Sequence, residues 1–389
     1  MPRFLMPVLI ALLAMSTAQQ LLVPTLAPLV GELGLNVSQL GLMLTISSVA
    51  VVLTSPFWGW LLDVIGLRSV LLAGAGLCVL GLAGFAAAVT FGQDETLTSD
   101  QAFTFVLAFR SVLLGAGLAV LPIAALAVAG VVREEERTKA FGLVGAAQGL
   151  AALVGPPVGG VLTAVSLMLP LYLAPALALL VLVFVIVAVK PVERPQENMP
   201  PQPLELLRAF AFGLLMWLSF GLSQVIITLL AKDQLEVSTS SLAASGMTAV
   251  AALGLVVTQG AVVPLLKWPA ARLMRTGAPI ALAGYAVLAV APSFWLMATA
   301  YLVVAFGLGL AVTGFAAAAS LGVGPRHQGL VAGLVHATYG LTFLAGPMLS
   351  SLLYDVEPVA PVIAAGVAAA LACVLSLPQL TPRVPQSAA

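Results

Sequence analysis

The sequence predicts an all-α membrane protein with twelve transmembrane helices in two pseudo-symmetric six-helix bundles. Three observations predict it: too little charge for a water-facing surface, repeated apolar runs of spanning length, and an internal repeat near half the chain. Of 389 residues, 61% are hydrophobic and only 8% are charged. A soluble domain carries roughly 45–50% apolar and about 25% charged residues. Lipid is therefore the solvent for most of the exterior. Fifteen Lys+Arg balance fifteen Asp+Glu, so nucleic acid is not an expected partner.

A helix that crosses the hydrocarbon needs roughly 20 apolar residues at about 1.5 Å each. Such runs fall at 5–31, 38–62, 69–90, 102–131, 139–166, 169–189, 207–231, 240–266, 270–291, 293–320, 328–353 and 359–378. The first resembles a signal peptide after Arg3, but it outlasts a short apolar core and eleven similar runs follow, so it reads as a retained span. Helix is forced, because each unpaired backbone group in hydrocarbon costs several kcal/mol. A barrel needs alternating strands of about ten residues, and these runs are continuous. Residues 190–206 hold Lys190, Glu193, Arg194, Glu197 and Glu205 among five prolines. Proline at that density breaks a helix. A bundle of residues 1–189, a linker of 190–206 and a bundle of 207–389 follow.

The basic residues set the orientation. Arg3, Arg68, Arg133, Arg137, Lys139, Lys190, Arg194, Arg208, Lys267, Arg272, Arg275, Arg326 and Arg383 fall at the termini and in one alternating set of loops. The opposite loops hold only Lys232, and Arg110 falls inside a span. The positive-inside rule then makes both termini, and the linker, cytoplasmic.

The repeat matches Gly142–Leu150 with Gly333–Leu341, and Gly155-Pro156 with Gly346-Pro347, at a constant offset of 191. Gly115–Val120 resembles Gly307–Val312 at an offset of 192. An even number of spans per half makes the repeats parallel and puts a substrate site between the halves near the midplane.

Three stretches carry a family resemblance. Gly59-Trp60-Leu61-Leu62-Asp63-Val64-Ile65-Gly66-Leu67-Arg68 resembles the major facilitator signature G-x-L-x-D-x-x-G-x-[RK]. Gly59 allows close helix approach, Gly66 a tight turn, and Asp63 puts a carboxylate where a helix N-terminus can meet it. The resemblance implies that Gly59, Asp63, Gly66 and Arg68 form a cytoplasmic latch against the start of the eleventh span, near Gln328 and Gly329. Val64 and Leu67 stand where that family usually has basic residues, which implies a thinner charge network. In the fifth span, Gly142, Gly155, Pro156, Gly159 and Gly160 resemble the antiporter signature G-x8-G-x3-G-P-x2-G-G, with Ala151 replacing one glycine. This implies export by exchange with protons or another cation. Arg110 in the fourth span resembles the arginine of the drug:proton antiporter group, although Gly115 is one residue further on and Leu114 replaces the usual glutamine. Its implied role is to influence protonation.

Arg110 and His336 are titratable groups deep in spans. A charge there costs about 2.5–3.5 kcal/mol on insertion scales and so faces protein or water. An imidazole titrates near neutrality and can carry a proton; His327 falls in a cytoplasmic loop and is expected in solvent. No carboxylate lies deep in any span: the first has Ser16, Thr17, Gln19 and Gln20, and Glu32 comes only at its outer end. A buried cationic substrate would lack a counter-charge, so the expected substrate is neutral or anionic. Gln19, Gln20, Gln148, Gln224, Gln259, Tyr301 and Tyr339 are the candidate cavity residues.

Cys78 and Cys373 lie far apart in apolar runs and read as buried thiols, with no metal-ligand spacing. Asn36-Val37-Ser38 fits a glycosylation acceptor but hugs the membrane and is set aside. No phosphate-binding glycine loop or nucleophile–base set appears in a long loop. An ATP-driven pump, a membrane enzyme and a cofactor are therefore not expected. Duplicated Gly-Pro helices without charged rings also disfavour a channel. The expected protein is a monomeric secondary transporter in a plasma membrane, the inner membrane in bacteria, that exports small amphipathic neutral or anionic compounds against protons. Its partners are the substrate, the coupling ion and lipid. The alternatives are an importer or uniporter of an organic anion or metabolite, and a non-transporting sensor or assembly partner.

Overall fold

The computed structural model of the chain describes residues 5–190, 202–235 and 240–377. Residues 191–201, most of the expected linker, lie outside the described residues, as do Arg3, Arg383 and the side chain of Lys232. The helices in order are α1 (Leu5–Gln20), α2 (Leu26–Glu32), α3 (Val37–Ile65), α4 (Leu67–Gln93), α5 (Ser99–Val106), α6 (Leu114–Leu118), α7 (Val120–Gly130), α8 (Glu134–Val165), α9 (Met168–Ala188), α10 (Pro203–Leu235), α11 (Ser240–Val257), α12 (Val263–Leu266), α13 (Ala270–Ala289), α14 (Phe294–Leu321), α15 (Gln328–Tyr354) and α16 (Ala360–Ser376). No strand occurs among the described residues.

These helices build twelve rods. The first is α1 with α2, the fourth runs from α5 to α7, the eighth is α11 with α12, and every other rod is one helix. Among the described residues, ten are long and apolar enough to cross a membrane. The remaining two are α13, whose 20 residues begin with Arg272 and Arg275, and α16, which has 17. Arg272 lies over the Trp268 ring at 4.2 Å, so the charge at the start of α13 rests on an aromatic face. The protein is a multi-pass membrane protein. Its outer faces carry side chains such as Leu180, Val187, Val161 and Val374, which only lipid can cover.

Several boundaries differ from the sequence expectation, each for a local reason. The first span is broken: α1 ends at Gln20 and a 3-10 turn, Val23–Thr25, leads into α2. Pro24 has no amide to donate, and its ring crowds the carbonyl of Gln20 four residues back. The fifth span reaches back to Glu134, because Glu134, Glu135 and Glu136 occupy a first turn where negative charge is stabilised. The seventh begins at Pro203, since proline is tolerated in a first turn whose amides are unpaired anyway. Two spans contain π-helical turns, Leu107–Leu113 in the fourth and Thr258–Val262 in the eighth. In the eighth, Pro264 removes the amide that Gly260 would otherwise receive.

The repeat is visible as equivalent packing. Gly155 of α8 lies against Gln20 of α1, and Gly346 of α15 lies against Gly221 of α10. Gly159 faces the carbonyl of Leu21; 191 residues later, Ser350 Oγ donates to the carbonyl of Leu222 at 2.7 Å. The fifth span thus seats on the first as the eleventh seats on the seventh. Gly160 has open space on its Cβ side, so the last glycine of the motif is not needed for close approach.

Gly277 and Gly307 bring α13 and α14 to backbone contact: a Cβ on Gly277 would stand 2.5 Å from both the Gly307 carbonyl oxygen and the Ala311 nitrogen. Gly277→Val should destabilise the protein by about 1–3 kcal/mol, the ordinary cost of overpacking. It should lower the thermal unfolding midpoint in detergent, whereas Gly160→Ala should leave that midpoint nearly unchanged.

Candidate functional site

Two seams join the first six spans to the last six. In one, α3 lies on α15. Asp63 accepts from the backbone amides of Gly329 and Leu330 at 2.8 Å each, one oxygen to each amide. These amides belong to the first turn of α15, where they lack helical partners and carry the positive end of the helix dipole. The backbones touch here: a Cβ on Gly59 would meet the Gly329 carbonyl, and one on Gly333 would meet the Ser55 carbonyl. Gln328 fixes the start of α15. It accepts from Ser320 Oγ at 2.7 Å and donates to the carbonyls of Ser320 and Val323 at 2.8 and 3.2 Å. Further along α15, His336 Nδ1 and Ser55 Oγ are 3.1 Å apart.

The second seam sets α8 against α11 and the π-turn that follows it. Gly142 faces the carbonyl of Gln259, Gly145 faces the Gln259 side chain, and Gly149 faces Val256. Because Gly145 has no side chain, the Gln259 amide fits between the helices.

Between the seams lies a cavity of about 570 Å³. Gln19 and Gln20 from α1, Gln148 from α8, Gln224 from α10, Gln259, Tyr301 from α14, and Tyr339 and His336 from α15 all line it. Among the described residues, no Asp, Glu, Lys or Arg lines it. Gln19, Gln148 and Gln259 have no side-chain hydrogen-bond partner among the described residues, so their amides are available to an occupant. The lining is also aromatic. Trp217 meets Tyr339 edge-on at 4.7 Å between centroids, Tyr339 meets Phe343 at 4.4 Å, and Phe220 stacks on Tyr301 at 6.1 Å.

The other expected site residues divide. Gly59 and Asp63 form the contact with α15, and Gly66 makes the turn at φ 88°. Arg68 does not join that contact. Its Nη2 donates to the Ile186 carbonyl at 3.1 Å, near the end of α9, where unpaired carbonyls attract a cation. Pro156 lines the cavity, Gly142 serves the second seam, and Gly155 and Gly159 seat α8 on the first span. Arg110 is not among the cavity-lining residues. It sits in the π-turn of the fourth span, with a buried Nε that has no partner among the described residues. His327, expected in solvent, is half-buried as the residue that precedes α15.

Sequence reasoning named Tyr301 and Tyr339 but missed Trp217, Phe220 and Phe343 of the aromatic wall, and Ser55. The wall had a signal: Trp217, Phe220, Gln224 and Ile227 are spaced by three, four and three residues, one helical face. Ser55 had none, since a serine in an apolar helix ordinarily bonds its own backbone, as Ser55 also does to Val51.

A sequence model of the Major Facilitator Superfamily matches residues 8–329. The chain is 26% identical over 329 residues to "Tetracycline resistance protein, class D" of Salmonella ordonez, covering 81% of this chain and 79% of that one. It is 27% identical over 228 residues to "Quinolone resistance protein NorA" of Staphylococcus aureus, covering 56% of each chain. Among solved structures, a bacterial homologue of the iron transporter ferroportin, in an outward-facing state, superposes with a TM-score of 0.79 at 15% identity, over 96% of this chain and 98% of that one. At that identity the likeness is one of fold.

Hydrogen bonds to a charged group contribute about 1.5–3 kcal/mol. Asp63→Asn should therefore shift the α3–α15 seam from closed toward open by roughly 10–150-fold. Ala332, 4% exposed and packed with Trp58, reports it. With Cys78 and Cys373 replaced by alanine, the thiol of Ala332→Cys should be labelled slowly, and faster by about that factor when Asp63→Asn is added.

Proposed function

As the chain belongs to the Major Facilitator Superfamily, we propose that this transporter exports small, uncharged, ring-bearing amphiphiles by proton antiport. The observation that carries this reading is the cavity lining: free amides and aromatic faces, with no Asp, Glu, Lys or Arg among the described residues. Such a wall suits a molecule that stacks and hydrogen-bonds but brings no charge, because a buried unpaired ion is costly. The anionic half of the sequence expectation leaned on the central basic groups; of these, Arg110 does not line the cavity, and His336 does but carries no fixed charge.

Export and proton coupling rest on the antiporter motif and on relatives whose names record drug resistance. In this reading the end that carries Arg68, Arg133 and Arg326 is cytoplasmic, following the positive-inside rule. The membrane is a bacterial inner membrane, as for the relatives' bacterial sources. The halves 1–189 and 207–389 rock about the cavity as two bodies, and one chain suffices. With its α3–α15 seam closed, the cavity is open to the outside. Import or uniport of an organic anion would be served better by a permanent cation, and no Lys or Arg lines the cavity among the described residues.

The test is a panel of a neutral aromatic amphiphile, a lipophilic cation and an organic anion, each added to proteoliposomes that hold a pH-sensitive dye. The neutral compound should drive saturable proton movement. Gln148→Ala and Gln259→Ala should each raise its KM by about 2–10-fold, the loss of one neutral hydrogen bond, and Arg110→Ala should leave that KM unchanged. Proton movement with only the cation or the anion, or with none of the three, would overturn the proposal.

A further inference from the structure

His336 and Ser55 make a hydrogen bond between the two halves at the wall of the cavity, seven residues along α15 from the amide of Gly329 that Asp63 holds. The chemistry of the pair fixes its proton. Ser55 Oγ donates its only hydrogen to the Val51 carbonyl at 2.6 Å. It can therefore only accept from the ring, so Nδ1 carries the hydrogen. In the neutral ring, Nε2 is then a bare acceptor. It has no partner among the described residues, and the ring lines the cavity while its residue is 8% exposed.

We propose that His336 is the proton carrier of the transport cycle, and that its bond to Ser55 makes protonation of the ring open the α3–α15 seam. This rests on proton antiport as the mode of transport. A proton from cavity water adds to Nε2 and leaves an imidazolium that still donates to Ser55. Among the described residues, no carboxylate bonds or ion-pairs with it. The titratable groups around it are Tyr339, whose ring is 6.0 Å away on α15, Tyr301 of α14 across the cavity, and Asp63, two turns down α3 and already engaged by two amides. The described cavity-lining residues of α7, α8 and α10 include no acid or base. An imidazolium held there lacks the water that stabilises it, and parting α3 from α15 admits that water. The proton then leaves Nε2 on the opposite side of the membrane, and the neutral ring returns to Ser55 as the seam closes.

The pseudo-symmetric seam shows what the tie requires. Gly145 occupies the repeat position of His336, and there the crossing side chain is the Gln259 amide, which does not titrate. One seam is thus built to respond to protons and the other is not.

The experiment uses the full chain in liposomes, with Cys78 and Cys373 replaced by alanine and spin labels on Val64→Cys and Arg326→Cys, both exposed near the closed end of the seam. Without substrate, the label distance should lengthen as pH falls from about 8 to about 4, a window wide enough for an imidazole that must take up its proton away from bulk water. His336→Asn keeps a donor for Ser55 but cannot titrate, and should hold the high-pH distance throughout. Ser55→Ala should lengthen the distance even at high pH. In flux assays, His336→Asn should lose about 10-fold or more of pH-gradient-driven transport, an ordinary coupling magnitude, while substrate exchange without a gradient persists. An equal pH response of the labels in His336→Asn, or full gradient-driven flux in that variant, would overturn the assignment and leave antiport intact. Wild-type flux indifferent to the pH gradient would remove antiport itself, and with it the carrier role, whatever the labels do.

Discussion

The contact between Asp63 and the first turn of α15 is the constraint on which the rest of the molecule depends. A carboxylate meets two amides that the helix itself leaves unpaired. The bond forms only because Gly59, Gly329 and Gly333 let two backbones touch, and because Gln328 anchors the helix start to the end of α14. Each of these is a close-range requirement, and none stores much energy alone. Together they close one end of a cavity with a single breakable charge-assisted contact. A seam of interlocked large side chains would be tighter, but it would have to repack to open.

The legibility of the sequence follows from which physical rule acts on each residue. Water is absent from the hydrocarbon, so every span must be helical and apolar, and twelve runs could be read without a template. Even α13, the least apolar, was readable once Arg272 and Arg275 were taken as marking its end. The Pro24 break was encoded in one residue, but nothing in the apolar run marked the π-turn around Arg110, which is a property of tertiary packing. The glutamines converged on one cavity because amides in a lipid-facing chain have few other places to go. Arg110 had the same logic yet stands outside the cavity lining: helical periodicity gives a facing direction, and a π-turn changes it. Arg68 was assigned by its loop, whereas a nearby helix C-terminus claimed it.

The repeat separates architecture from function. Where the halves agree, as in Gly155 with Gly346, or Gly159 at Leu21 with Ser350 at Leu222, the residues seat one helix on another within a half. Such contacts need small side chains or a short hydroxyl, and any member of the duplicated pair will serve. At the seams the halves agree in their glycines, Gly142 with Gly333 and Gly149 with Gly340, and disagree in the side chain that crosses. Gly145 stands opposite the Gln259 side chain, while its counterpart His336 itself supplies the side chain that crosses to Ser55. The aromatic wall likewise comes from the last six spans and the Gln19, Gln20 and Gln148 amides from the first six.

This asymmetry has a mechanical consequence. Two bodies that rock about a shared cavity exchange which seam contacts are made, and a cycle has direction only if some ligand distinguishes the states. A charged ring at the α3–α15 seam distinguishes them strongly, because hydration is available in one state and denied in the other. An uncharged substrate distinguishes them only through hydrogen bonds and stacking, at about 0.5–1.5 kcal/mol per neutral bond. In the proposed cycle the proton is then the larger lever and the substrate the smaller one. A cavity without fixed charge leaves substrate choice to shape and hydrogen bonding, while the energetic bias stays with a single titratable side chain that touches both halves.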